Sequence, residues 1–144
     1  MLEEDKIRQL KENLSRAIRE KDAKKANKLF VKNCVLFLMA PPLMEKFDEG
    51  LEGLNNLENW FLTFENGIGL ETKELEITNN SDIAFLSSLE HLTGKRTDGS
   101  ETDIWFRETL GLQKIKGEWK VTHQHQSFPM HMDGTDKAAT NLEP

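Results

Sequence analysis

Residues 101–129 read ETDIWFRETLGLQKIKGEWKVTHQHQSFP, and the reading of this stretch decides the fold. Two β-rich runs flank Lys116-Gly117. Ile104, Trp105, Phe106, Thr109, Leu110 and Leu112 stand in the first, and Trp119, Val121 and Phe128 in the second. Two such runs around a glycine-containing turn predict a long antiparallel hairpin. Two of the three tryptophans and two of the four histidines lie on it, so most residues able to do chemistry gather here.

The register decides which of them meet. A two-residue loop at Lys116-Gly117 requires positive φ at Lys116, which a side chain disfavours. A three-residue loop, Ile115-Lys116-Gly117, places the glycine in the left-handed position of a bulge, where it is tolerated without strain. The second is preferred on that ground. Thr109 then faces His123, and Arg107 faces His125. Period-2 alternation groups Asp103, Trp105, Arg107, Thr109, Trp119, Val121, His123 and His125 on one face. Ile104, Phe106, Glu108, Leu110, Leu112, Thr122, Gln124 and Gln126 fall on the other. Both faces hold large apolar residues, so one is expected to line a core or pocket and the other to meet another layer or a second subunit.

Upstream of the hairpin the chain reads as helices, then strands. Leu2 to Glu20 carries Ile7, Leu10, Leu14, Ala17 and Ile18 at helical spacing, with acidic residues in its first turn to suit the helix dipole. Asp22 caps a second helix that places Ala23, Ala26, Leu29 and Phe30 inward and stops near Asn33. Cys34 to Met39 is a strand, ended by Pro41-Pro42, and Leu43 to Gly53 is irregular. A third helix, Leu54 to Glu65, is aromatic-rich, with Trp60, Phe61 and Phe64. Strands follow at Leu70 to Thr78 and Ile83 to Arg96, before the hairpin. The order is α+β: three helices in the N-terminal half against a long, twisted sheet, with a funnel between the layers.

At 144 residues the chain is one domain, residues 1–144, large enough to bury a core. A net charge of −6 argues against a nucleic-acid surface, which needs a clustered basic face. The longest apolar run, Cys34 to Pro42, is too short to span a bilayer. The acidic, amphipathic N-terminus has no apolar signal core, and the expected location is cytoplasmic. Cys34, the one cysteine, is expected to be buried packing rather than a nucleophile. There is no Walker loop, dinucleotide glycine fingerprint or serine elbow.

Three features together resemble a known family. They are the strand ending in Ala40-Pro41-Pro42, the pair Gly50 and Gly53 before an aromatic helix, and the closing GEWKVTHQHQSFP of residues 117–129 with Asp103, Trp105 and Arg107 just before it. The chain resembles the SnoaL-like, ketosteroid-isomerase-like branch of the nuclear transport factor 2-like superfamily over nearly its whole length. The resemblance implies a curved, mainly antiparallel six-strand sheet under three helices, the cystatin-like conical half-barrel, with a conical pocket and a homodimer packed through the sheet. It implies no single reaction, because the superfamily holds isomerases, polyketide cyclases, dehydratases, epoxide hydrolases and non-catalytic association domains. In ketosteroid isomerase a tyrosine and a protonated aspartate form the oxyanion hole. This chain has no tyrosine, which removes that proton donor.

An acid–base site needs a proton acceptor and an electrophilic partner within reach. His123, His125 and Asp103 are the candidate acceptors, and Arg107 the group that orients or stabilises charge. His91, Trp60, Phe64 and Trp105 are the candidate ligand wall; His91 looks like the position of a pocket arginine in the kinase-association branch. That branch's pattern, carried to the hairpin, instead favours the opposite face, with Glu108, Gln124 and Gln126 near the pocket. His123 and His125 have a metal-like spacing, but Arg107 opposite His125 argues against a cation, and no metal is expected. The functional expectation is a small-molecule pocket protein acting without cofactor: an isomerase, cyclase or dehydratase on an apolar, carbonyl-bearing substrate. The alternative is a non-catalytic ligand-binding or dimeric interaction domain.

Overall fold

A computed structural model describes residues 1–144. Helices α1 (Glu3–Arg19) and α2 (Ala23–Asn27) come first, followed by strands β1 (Phe30–Phe37) and β2 (Glu45–Lys46) and then helix α3 (Leu51–Phe61). Then come β3 (Gly69–Asn79), β4 (Ile83–Lys95), β5 (Glu101–Ile115) and β6 (Glu118–Ser127). The six strands form one sheet in the order β2-β1-β6-β5-β4-β3. Every pairing is antiparallel except β1 with β6. No helix is long and apolar enough to cross a membrane.

α1 forms because its apolar residues recur at helical spacing and all face the sheet. Ile7, Leu10, Leu14 and Ala17 are buried against Leu86, Leu110, Leu112, Trp119 and Val121. Its first turn is tied to the hairpin by Glu3, which accepts hydrogen bonds from Trp119 Nε1 at 2.7 Å and Lys114 Nζ at 3.0 Å. α2 is capped as expected, with the Asp22 side chain accepting from the Lys25 amide. It is shorter than its apolar pattern predicts. Phe30 leaves it for β1, because Val121 N–H donates to Leu29 O and draws the chain into the sheet. The third helix starts earlier than expected, at Leu51. Gly53 lies in it where a Cβ would stand 2.0 Å from the Asp48 carbonyl oxygen, so only glycine permits that approach. The stretch read as irregular contributes a short strand, Glu45–Lys46, paired with Val35 and Leu36.

The hairpin turns more tightly than expected. Ile115 pairs with Glu118, leaving Lys116 and Gly117 as a two-residue loop with φ of 51° and 82°. This is the primed turn whose twist matches the strands, and Lys116 accepts the strained conformation. A second departure lies at Thr122: Leu112 pairs with Val121, but Gly111 pairs with His123. Thr122 is the extra residue of a β-bulge. Beyond it Thr109 faces His125, and Arg107 faces Ser127, whose hydroxyl accepts from Arg107 Nε at 3.1 Å. The expected pairs Thr109–His123 and Arg107–His125 are therefore corrected by two residues. The bulge also splits the expected face. Trp119 and Val121 point to the helices with Leu110 and Leu112 and are buried, while His123 and His125 stay with Arg107 on the side that no helix covers.

Candidate functional site

Between α1, α3 and the covered face of the sheet lies a cavity of about 420 Å³, inside the usual range for small-molecule sites. Its walls are apolar and aromatic, with Leu14, Ile18, Leu36, Leu57, Trp60 and Phe106 among them. Its floor is charged. Lys11 of α1, Glu90 of β4 and Glu108 of β5 meet there, only 3%, 1% and 5% exposed.

Each of the three charged groups has partners. Lys11 Nζ donates to Glu90 Oε1 at 2.9 Å and Ser15 Oγ at 3.0 Å, and stands 3.5 Å from Glu108 Oε1. Glu90 also accepts from Thr72 Oγ1 at 3.0 Å and Ser88 Oγ at 2.6 Å. Glu108 Oε2 accepts from Gln126 Nε2 at 2.9 Å and Gln124 Nε2 at 3.0 Å. Strand alternation explains the gathering: Ser88 faces Glu108 across β4–β5, and Glu108 faces Gln126 across β5–β6. The bulge at Thr122 is what turns both glutamines inward.

Two carboxyl groups against one ammonium leave the floor one charge short of balance. Burial pulls the Lys11 ammonium down, but attraction from Glu108 and Glu90 outweighs it and the net shift is upward. Burial pushes Glu90 up; Lys11 opposes this and the like charge of Glu108 adds to it, so the carboxyl ends above its usual range. A buried carboxyl with raised proton affinity beside a second carboxyl is an arrangement that can hold or pass a proton.

The residues expected to form the site separate into two groups. Trp60 lines the cavity, and Phe64 supports it from behind, edge-on at 5.2 Å between ring centroids. His91, Asp103, Trp105, Arg107, His123 and His125 lie on the uncovered face, away from the cavity. There His91 Nε2 is 2.6 Å from Asp103 Oδ1, and its ring stacks on Trp105 at 4.4 Å. His123 donates from Nδ1 to the Val35 carbonyl at 2.7 Å. Phe37 stands edge-on to both His123 and His125 at 5.1 Å. No third potential ligand joins these histidines in a metal-binding group. Cys34 is buried, and burial pushes its thiol up to about 11, which suits packing.

Lys11 and Glu90 were not singled out by sequence reasoning. The available signal is a lysine inside the apolar stripe of α1, between Leu10 and Leu14, and a glutamate between Leu89 and Leu92 on a strand whose alternate residues are buried. A charge at a core-facing position needs a partner, and the two supply each other.

The model of a SnoaL-like domain matches residues 7–131. The chain belongs to the SnoaL-like family. Among solved structures, this SnoaL-like chain is similar to an NTF2-like protein of unknown function from Pseudomonas putida KT2440. The two are 25% identical, with a TM-score of 0.84 over 97% of this chain and 95% of that one. It shares 25% identity and a TM-score of 0.66 with a candidate ketosteroid isomerase from Shewanella frigidimarina, covering 83% of this chain and 92% of the other. It shares the fold of the association domain of CaMKII from C. elegans at 17% identity, with a TM-score of 0.67 over 86% of this chain and 94% of that one. No curated protein matches the sequence.

Proposed function

We propose that this SnoaL-like chain binds a small apolar molecule in the cavity and moves a proton on it through Glu108, acting without cofactor as an isomerase, cyclase or dehydratase. The observation that carries this reading is the Lys11–Glu90–Glu108 cluster at the floor of an otherwise apolar cavity. Glu90, ringed by Lys11, Ser88 and Thr72, positions the ammonium. Glu108, held by two carboxamides, is the group a substrate meets. An apolar carbonyl compound, the substrate class expected from the sequence, would place an acidic C–H against that carboxylate. Dry surroundings strengthen such a base, because water no longer solvates its charge.

Nitrobenzisoxazole tests this without knowledge of the natural substrate. Its ring C–H proton passes to a base as the N–O bond breaks, giving a coloured cyanonitrophenolate. The wild-type protein is expected to accelerate this ring opening, and Glu108→Gln to lose about 100-fold or more of the acceleration, the usual contribution of a general base. Equal rates for the two proteins would remove Glu108 from the chemistry.

A second reading, self-association, is favoured by a separate observation. The sheet face opposite the helices is uncovered and carries Phe85 and Ile83, 54% and 59% exposed, with Trp105 and Phe37 on the same side. A large apolar face in water is the mark of an interface, and a second copy of the chain is the partner expected from the sequence. The two readings are compatible, since the cavity and this face lie on opposite sides of the sheet.

A further inference from the structure

We infer that the cavity selects molecules whose polar end is a hydrogen-bond donor, a hydroxyl or an ammonium group, and rejects carboxylates and other anions. The inference rests on the proposed cavity reading and adds a hydrogen-bond donor to the carbonyl-bearing substrate proposed there.

Charge comes first. The cavity is bounded by four carboxyl groups, Glu45, Asp48, Glu90 and Glu108, and by two ammonium groups, Lys11 and Lys46. At the floor the balance is two against one. An anion entering there would add a like charge in surroundings that screen poorly, and it would need a cation to pair with. Lys11 is not available for that. Two of its N–H bonds go to Ser15 Oγ and Glu90 Oε1, and the ammonium is shared with Glu108 Oε1 through a longer ion contact of 3.5 Å. Releasing one to a ligand would leave a buried carboxylate short of its partner, the costly outcome for a buried ion pair.

Hydrogen bonding points the same way. A carboxylate only accepts, so Gln124 and Gln126 must turn their NH2 groups to Glu108. Their carbonyl oxygens then join Glu108 Oε1, held by Lys11 only at 3.5 Å, as acceptors without a close donor. A hydroxyl supplies one donor to this set. An ammonium supplies up to three and also neutralises the floor's surplus charge, with the aromatic walls of Trp60, Phe30 and Phe106 suited to a cation.

The experiment uses three probes with one apolar body: naphthylmethylamine, naphthalenemethanol and naphthoate, titrated by calorimetry at neutral pH into the whole chain. The amine and the alcohol are expected to bind, and naphthoate to bind at least about tenfold more weakly than either, a difference of about 1.4 kcal/mol. In Glu108→Gln the preference for the amine over naphthoate is expected to shrink, which places the discrimination at the floor. Naphthoate binding as tightly as the amine, or a preference unchanged in Glu108→Gln, overturns the inference and leaves the cavity reading standing. If none of the three binds, the cavity reading itself fails and the inference with it.

Discussion

Lys11 is the single cation among the buried charges of the cavity floor, and its removal exposes how that floor is held together. Lys11→Met keeps the length and apolar body of the side chain but leaves Glu90 and Glu108 facing each other. The expected loss is about 3–5 kcal/mol at neutral pH, the usual cost of breaking a buried ion pair from one side, read by denaturant unfolding. The sign of its pH dependence follows from Glu90. With the ammonium gone, burial and Glu108 both raise its proton affinity unopposed, so the folded state binds the proton more tightly than the unfolded one. Stability then rises as pH falls through the raised value, and the gap to the wild type narrows on acidification. A gap constant from neutral to acid pH would show that the three groups are not coupled. This floor was only half legible in the sequence. Glu108, Gln124 and Gln126 were grouped by alternation through the expected register, and the grouping holds because the turn and the bulge each shift that register by one residue and together keep its parity. Lys11 and Glu90 were missed because their pairing spans 79 residues and nothing in either local pattern names the other.

The hairpin shows at the level of the element why the helices and strands were readable and the pairing was not. Apolar periodicity gave α1, β3, β4 and β5 nearly to the residue, since each buries one continuous stripe. The register rested on the cost of positive φ at Lys116, a local term that the sheet overrides through many ladder bonds. The bulge at Thr122 then added a second residue of shift in the same direction. Two shifts of one residue restore the original parity, which is why His123 and His125 do share a face with Arg107 even though their partners differ. Trp119 and Val121, on the other side of the bulge, do not. Deleting Thr122 would put Trp119, Val121, Gln124 and Gln126 on one unbroken alternation, all four still facing the core, whereas in a strand without a bulge the same deletion would turn Gln124 and Gln126 away from Trp119 and Val121. The expected result is that the deletion keeps cooperative unfolding, and that Thr122→Ala, which keeps the bulge, melts as the wild type does. A deletion variant that loses cooperative unfolding would contradict the bulge. The tie between α1 and the hairpin is testable by pH. Hydrogen bonds from Lys114 and then Trp119 hold Glu3 down at about 2, against an ordinary value of 4.5. A depressed carboxyl stabilises the fold above its unfolded value and loses that contribution as pH falls through the folded one. Glu3→Gln should therefore lower the Tm at neutral pH, with the difference fading between about pH 4.5 and pH 2. A difference that persists below this window would show that the charge of Glu3 does not carry the contact.

Taken whole, the molecule is a sheet with helices on one face only, and each face has its own consequence. The covered face encloses the cavity and its charged floor. The uncovered face carries Phe85, Ile83, Leu89 and Trp105 together with the histidines. Sedimentation at micromolar concentration is expected to give a dimer, and Phe85→Lys combined with Leu89→Lys a folded monomer. A stable wild-type monomer would contradict self-association through this face. The division between the faces also offers the most direct test of where a ligand goes. The protein, labelled with carbon-13 at glutamate side-chain carboxyls and in histidine rings, is titrated with naphthalenemethanol and followed by NMR. The Glu108 and Glu90 carboxyl signals are expected to move with a common saturation curve while the rings of His91, His123 and His125 stay in place. Movement of the histidine rings with Glu90 and Glu108 unchanged would contradict it, and would transfer the site to the other side of the sheet.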